Sequence, residues 1–200
     1  AKSTAMLYFP TMKESCRAVV AMKKLVDQDG PIVKSAEMLD YKSLASVDDP
    51  IYLKYVEEQR QKLGADADIT GLTAVLTEVK CLSQEQMEAQ KQMVLDCLKQ
   101  FEAYIPFTFT ENVAEYSKFW AIRSGIFPSV GGQRQPGTTC LIEDIAFPID
   151  VLPEATLELQ KMLEDYGYDD ACIYGHALEG NYHFIINQSF SSDAETQRYK

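Results

Sequence analysis

A strand-like apolar run, a capped amphipathic helix and a second strand-like run recur three times along the chain. The apolar residues of each run alternate or cluster as in a strand, and those of each helix recur on one face. The predicted strand, helix and strand segments are residues 4–9, 11–25 and 32–36; 72–79, 83–101 and 104–109; and 139–147, 153–167 and 171–174. This repetition limits the fold to sheets covered by helices.

Local signals mark the beginnings of the helices. Thr11 with Glu14 and Ser83 with Gln86 form capping boxes, in which a hydroxyl and a side chain three residues later satisfy free backbone N–H groups. Pro153 opens the third helix, because proline fits the first turn, where its missing N–H has no partner in any case. We therefore expect three helices that begin at defined residues.

The repeated units predict one α+β domain spanning residues 1–200, with a ferredoxin-like antiparallel sheet and helices packed on one face. Helical insertions separate the units. Residues 40–64 predict short helices, with Asp48-Asp49-Pro50 capping the longer one at residues 51–63. Residues 111–127 predict another helix, which Pro128 ends before a polar loop.

Both histidines of the chain lie in residues 175–183, between two strand-like runs. A Glu179-Gly180 turn would join these runs into a β-hairpin with a two-residue loop, so that His176 and His183 face each other. Opposite residues have Cβ atoms about 4.5–5.5 Å apart. Two imidazoles at that spacing can share a divalent cation, and the alternative is a structural, hydrogen-bonded pair.

Charge and hydropathy limit the partners. The formal net charge of -11 repels phosphate backbones and acidic lipids, and no basic cluster reverses it locally, so nucleic acid and membrane surfaces are poor partners. We expect no transmembrane segment, because no apolar run is long enough. The five cysteines are scattered without a C-x-x-C pair, which indicates free thiols and a cytoplasmic location.

The two ends of the chain predict a longer parent protein. The sequence begins without methionine and enters a strand at once. At the other end, Ser192 and Glu195 form a capping box for a helix that has only its first turns. We therefore expect an excised piece of a larger protein.

Several segments resemble the C-terminal cap domain of FAD-linked oxidases of the D-lactate and D-2-hydroxyglutarate dehydrogenase type. They are residues 119–126 (Phe-Trp-Ala-Ile-Arg-Ser-Gly-Ile), 137–139, 142–148, 152–154 and 175–183, with weaker likeness at 9–10 and 36–40. The family's hairpin usually has Gly-Asp where this chain has Leu178 and Glu179. That departure resembles the large subgroup fused to an iron–sulfur region, which implies an iron–sulfur cluster outside this chain.

The resemblance implies a flavin enzyme that oxidises a small D-2-hydroxy acid by hydride transfer to FAD. His176 and His183 match the family's ligands of a divalent metal such as zinc or manganese. The third ligand, a carboxylate, and the general base lie beyond this chain in the family, as does the domain that binds most of the FAD. The electron acceptor is left open.

Two arginines are candidates for binding the substrate carboxylate. Arg123 matches the family's arginine after the aromatic Trp120, and a guanidinium can bind a carboxylate through two parallel hydrogen bonds. Arg134 is the weaker candidate, in the predicted loop. The alternative for Arg123 is a surface ion pair, and Glu143 with Asp144 receive no role because paired carboxylates in a strand are usually solubilising.

Two other functions fit the residues alone. The recurrent units would suit a free-standing ferredoxin-like module that binds a small ligand or dimerises without catalysis. The histidine pair would suit a metal-dependent hydrolase, although the chain shows no metal-binding carboxylate at a diagnostic spacing from it.

Overall fold

The strands pair into one six-stranded antiparallel sheet in the order β1-β3-β2-β5-β6-β4, in a computed structural model that describes all 200 residues. The strands are β1 (Lys2–Phe9), β2 (Val33–Leu39), β3 (Thr73–Lys80), β4 (Thr138–Ala146), β5 (Cys172–His176) and β6 (Asn181–Ser189). The helices are α1 (Met12–Asp29), α2 (Tyr41–Ser46), α3 (Pro50–Leu63), α4 (Gln84–Leu98), α5 (Val113–Gln133), α6 (Leu152–Asp165) and α7 (Asp193–Tyr199). The α+β class is therefore confirmed.

Helices cover both faces of the sheet, and each covered face has its own hydrophobic core. The helices of the repeated units, α1, α4 and α6, bury the first core, which includes Leu7, Val19, Val75, Val94, Leu159 and Ile173. The inserted helices α2, α3 and α5 bury the second core, which includes Tyr8, Leu44, Tyr55, Leu76, Ile126 and Tyr174. The helices of the repeats lie on one face of the sheet, as predicted. The inserted helices cover the opposite face, which the sequence did not predict.

The hydroxyl half of each predicted capping box is present, as is the aspartate cap of the inserted helix. The Thr11 hydroxyl accepts a hydrogen bond from the Glu14 N–H at 3.1 Å, and the Ser83 hydroxyl accepts one from Gln86 at 3.3 Å. Asp49 caps α3, directly before Pro50. None of the helices combines the length and apolar character needed to cross a membrane.

The strand predicted at residues 104–109 is wrong. This segment lies irregularly along the outer edge of β1, where Tyr104 donates its N–H to the Tyr8 carbonyl at 2.9 Å. Thr4 and Thr110 exchange backbone hydrogen bonds in an isolated bridge. Pro106 has no N–H to donate, which breaks a regular ladder. The segment still covers the edge of β1, and an open strand edge would otherwise invite pairing with another chain.

Helix α5 does not end at Pro128, as the sequence predicted, but continues to Gln133. Proline removes one helical hydrogen bond, and buried contacts on both sides of it hold the helix together. Ile126 and Val130 are 0% and 6% exposed, and the Gln133 side chain donates to the Ser46 carbonyl at 3.0 Å. The polar loop is shortened to the few residues before β4.

The β5–β6 hairpin differs from the predicted two-residue loop. A single turn of 3-10 helix (Ala177–Glu179) and Gly180 join the strands, and Tyr174 rather than His176 lies opposite His183. The longer turn shifts the register. His176 is two residues beyond Tyr174 on the same face, so it lies diagonally from His183.

Two glycines make this hairpin possible. Gly180 has a φ of 71°, and a Cβ there would lie 2.1 Å from the Phe147 carbonyl oxygen. Gly175 has a φ of 137°, and a Cβ there would lie 3.1 Å from the His183 backbone nitrogen and 3.3 Å from its ring. Any side chain at Gly175 would therefore push against His183.

We expect Gly175→Ala to destabilise the fold by about 1–3 kcal/mol, the usual cost of a strained backbone position. Gly132→Ala is the matched control, because its added Cβ meets nothing within 4 Å in a helix. That control should be neutral or stabilising by up to about 1 kcal/mol. Urea unfolding of both variants checks this, and equal effects would contradict the steric argument.

The Tyr8 hydroxyl donates to both carboxylate oxygens of Asp49, at 2.9 and 3.0 Å. Both residues are buried. Burial, and then the charge of Asp49, raises the pKa of Tyr8 above its ordinary value. The folded state thus keeps a proton that an unfolded tyrosine loses near about pH 10, so this contribution to stability falls as the pH rises above that point.

Tyr8→Phe should cost about 1–3 kcal/mol of unfolding free energy at neutral pH, since Asp49 loses a buried donor. The cost should shrink by about 1.4 kcal/mol at about pH 11, where the wild type also loses stability. Urea unfolding at both pH values measures the difference. The control is Tyr166→Phe at a 59% exposed site, expected within about 0.5 kcal/mol of wild type at neutral pH. A pH-independent cost for Tyr8→Phe would count against the argument.

Candidate functional site

One row of residues crosses all six strands on the face of the second core. The register aligns them as Tyr8, Ala74, Leu39, Tyr174, His183 and Asp144. The row is apolar and buried through Tyr174 and turns polar at His183. The candidate site therefore begins where the second core ends.

The two imidazole rings meet despite the shifted register. Their centroids are 6.0 Å apart and the ring planes cross at 70°. His176 has a 55% exposed side chain, and His183 has 24%. The sequence prediction that the two histidines lie together is confirmed, although they are diagonal rather than opposite.

Each histidine is held by a carboxylate on a neighbouring strand. His176 Nδ1 lies 2.6 Å from Glu37 Oε1, and His183 Nδ1 lies 2.8 Å from Asp144 Oδ1. Both pairs are directly opposite in the sheet register. An ionised carboxylate only accepts hydrogen bonds, so these contacts favour the neutral tautomer that has its proton on Nδ1 and its lone pair on Nε2.

Arg123 on α5 reaches the same cluster. Its Nε donates to Glu37 Oε2 at 3.1 Å, and its guanidinium carbon lies 4.6 Å from the centre of the Tyr174 ring. Its side chain is 19% exposed. The Nη atoms make no hydrogen bond within the chain, so this end of the guanidinium is available to a ligand. Arg123 is thus an ordered side chain and not a mobile surface arginine.

Tyr174 links the arginine to the histidines. Its ring lies 5.5 Å from that of His183, between the core and the polar cluster. Burial raises the pKa of the Tyr174 hydroxyl, and the positive charge of Arg123 opposes part of the rise. The ring therefore offers Arg123 a neutral aromatic face.

The buried carboxylate of Asp40 fastens the beginning of β5. It accepts hydrogen bonds from the N–H of Ser43 at 2.8 Å and from that of Ile173 at 2.9 Å. Burial raises its pKa against the effect of these donors. Asp40 thereby ties α2 to the strand that carries His176.

The structure places Arg134 elsewhere. At the end of α5 it donates to the carbonyls of Gly131 and Thr138. Thr138 is six residues along β4 from Asp144, which corresponds to roughly 20 Å of strand. Arg134 acts as a cap here, and its predicted role in substrate binding stays a prediction.

Sequence reasoning missed Glu37 and Asp144 as parts of the site. A charged residue within the apolar run of residues 36–39 in β2 is the signal for Glu37, which is only 3% exposed. Asp144 is exposed, as predicted, but pairs with His183. No three His, Cys, Asp or Glu side chains of the chain converge as a metal site. The cluster therefore consists of two imidazoles, each paired with one carboxylate.

Comparison with known proteins places this architecture in a family. Residues 1–200 match the family described as FAD linked oxidases, C-terminal domain. No curated protein matches the sequence.

Three solved structures share the fold. An alkyldihydroxyacetonephosphate synthase is similar at a TM-score of 0.64 and 13% identity, over 100% of this chain and 38% of its own. A p-cresol methylhydroxylase with substrate bound is similar at 0.62 and 13%, over 100% and 41%. The 4-ethylphenol oxidase from Gulosibacter chungangensis, in complex with isoeugenol, is similar at 0.60 and 12%, over 99% and 41%.

The chain spans about two fifths of the length of these solved structures. At such low identity the likeness concerns the fold alone, whereas the family match runs over the whole sequence. The chain belongs to the FAD-linked oxidase family and is a C-terminal domain of that family.

Proposed function

We propose that this domain binds the substrate and a divalent metal ion in a flavin-dependent dehydrogenase of D-2-hydroxy acids, of the D-lactate or D-2-hydroxyglutarate class. The observation that carries the proposal is the pair of histidines whose Nδ1 atoms are both held by carboxylates, next to an ordered arginine. Such carboxylate–histidine pairs are typical of imidazoles that ligate a metal through the other nitrogen.

Two imidazole nitrogens suit a zinc ion, and a manganese ion would depend on the carboxylate from outside this chain. A ring centroid lies about 3.3 Å from an ion bound at Nε2, because the metal–nitrogen bond is about 2.1 Å long. Two rings on one ion therefore have centroids at most about 6.6 Å apart, and those of His176 and His183 are 6.0 Å apart. The third ligand, by the resemblance, is a carboxylate from outside this chain.

Arg123 supplies the substrate contact. The Nη end of its guanidinium can bind a carboxylate through two parallel hydrogen bonds, while Glu37 holds the Nε side. In a 2-hydroxy acid the hydroxyl is on the carbon next to the carboxylate, so Arg123 orients it relative to the histidines. A bound metal ion would supply Lewis-acid chemistry at that hydroxyl, and FAD would supply the hydride acceptor.

The substrate class depends on these side chains and not on the fold. The structural neighbours include a synthase, an oxidase and a methylhydroxylase, so the same fold serves several reactions. The iron–sulfur region stays a proposal from the Leu178-Glu179 variant of the hairpin. The five free cysteines are the basis for proposing a reducing, cytoplasmic compartment.

We expect His176→Ala and His183→Ala each to remove metal and turnover together in the parent protein that carries the flavin domain. Each change deletes one ligand of a small set. The control is Glu179→Ala, an exposed carboxylate in the turn between them, which should keep both properties. Elemental analysis and steady-state turnover check this. If both histidine variants keep metal and activity, the histidines are structural.

Arg123→Lys should lower kcat/KM for D-2-hydroxy acids by about 10- to 150-fold, since an ammonium group cannot replace a bidentate contact worth about 1.5–3 kcal/mol. Arg60→Lys on the exposed side of α3 is the control and should leave kcat/KM unchanged. Thermal unfolding of each variant separates loss of substrate binding from loss of folding. Unchanged kcat/KM in a folded Arg123→Lys protein would exclude the assignment.

A further inference from the structure

Glu37 divides its two oxygens between two different donors. Oε1 lies 2.6 Å from His176 Nδ1, and Oε2 accepts a hydrogen bond from Arg123 Nε at 3.1 Å. With 3% exposure the carboxylate has almost no access to water. Both oxygens of the carboxylate therefore have a partner, and the side chain is held from both sides.

Asp144 is the opposite case. It contacts His183 Nδ1 through Oδ1 at 2.8 Å, but 67% of its side chain is exposed and no arginine or lysine shares it. Its remaining partner is the amide of Asn181, at 3.4 Å from the same oxygen. An amide group in place of this carboxylate could rotate and still present its oxygen to His183.

We propose that Glu37 is a positioning residue that fixes the tautomer of His176, with the proton on Nδ1 and the lone pair on Nε2. As long as Arg123 is present, an amide at position 37 cannot fix the same tautomer. The proposal rests on the proposed function only where it makes Nε2 the metal ligand. The tautomer itself is a property of this chain.

Arg123 can only donate hydrogen bonds to residue 37. A guanidinium has five N–H donors and no acceptor, so Arg123 Nε requires an oxygen opposite it. In Glu37→Gln the single amide oxygen must therefore face Arg123, and the NH₂ group must face His176. His176 Nδ1 then has to accept a hydrogen bond, which moves the proton to Nε2 and removes the lone pair from the metal side.

The same substitution at Asp144 predicts no such change. In Asp144→Asn the amide oxygen remains free to face His183, because no cation competes for it. The tautomer of His183 should therefore stay as in the wild type. Two chemically equivalent substitutions thus have different expected outcomes, because Arg123 occupies the second oxygen of Glu37 and no cation occupies that of Asp144.

The chain has only two histidines, so long-range 1H–15N spectra of the labelled 200-residue protein resolve each ring. The spectra are to be recorded at a pH at which both imidazole rings are neutral. The wild type should show Nδ1–H on both rings, Glu37→Gln should show Nε2–H on His176 alone, and Asp144→Asn should match the wild type. The double variant Arg123→Met/Glu37→Gln frees the amide to rotate and should return His176 to Nδ1–H.

Two results would overturn the proposal: His176 with its proton on Nε2 in the wild type, or His176 unchanged in a folded Glu37→Gln. The wild-type spectrum keeps the test decisive even if Glu37→Gln fails to fold. A double variant that still shows Nε2–H would refute the role of Arg123.

Titration of the same proteins with Zn²⁺ separates this proposal from the proposed function. Glu37→Gln should weaken zinc binding by about 10- to 100-fold, as is usual when the partner of a ligating histidine is lost, and Asp144→Asn should weaken it less. If the tautomer switches as expected but the wild type binds no zinc even with the flavin domain present, Glu37 positions His176 and the metal proposal fails.

Discussion

The fold depends on burying both faces of the sheet. Strands β1 and β3 are buried along nearly their whole length, so side chains that point in either direction need apolar cover. The repeats provide helices for one face only. The insertions are therefore essential to the fold, and α5 in particular carries Arg123, the proposed substrate contact, over the second core to Glu37 and Tyr174.

The site forms where this apolar cover stops. A buried carboxylate is costly unless its oxygens have polar partners, and Glu37 meets that condition with a guanidinium that donates to one oxygen and an imidazole nitrogen 2.6 Å from the other. The same contacts order Arg123 against Tyr174. Stability and the proposed function therefore depend on the same contacts at this position. Asp144, at the exposed end of the row, supports its histidine with much less structural consequence.

Local chemistry could be predicted from the sequence, and pairing between distant strands could not. The caps at Thr11 and Ser83 need only residues close in the chain, and they are present. The histidine pair, with its two glycines, is also local. Glu37 is 139 positions before His176, and their contact depends on β2 lying next to β5, which no local pattern specifies. The helix past Pro128 was missed for a similar reason, since Ile126 and Val130 hold it through tertiary contacts.

The narrow joint between β2 and β5 has a consequence for the order of assembly. Strands β1, β2 and β3 form one group and β4, β5 and β6 another, and the only ladder between the groups has three residue pairs, at Glu37, Met38 and Leu39. Each group closes shorter loops than the joint does, and short loops cost less chain entropy. The two halves of the sheet are therefore expected to form before they dock. Glu37 comes from one half and both histidines come from the other. The site is therefore complete only after the two halves have docked, in the native state.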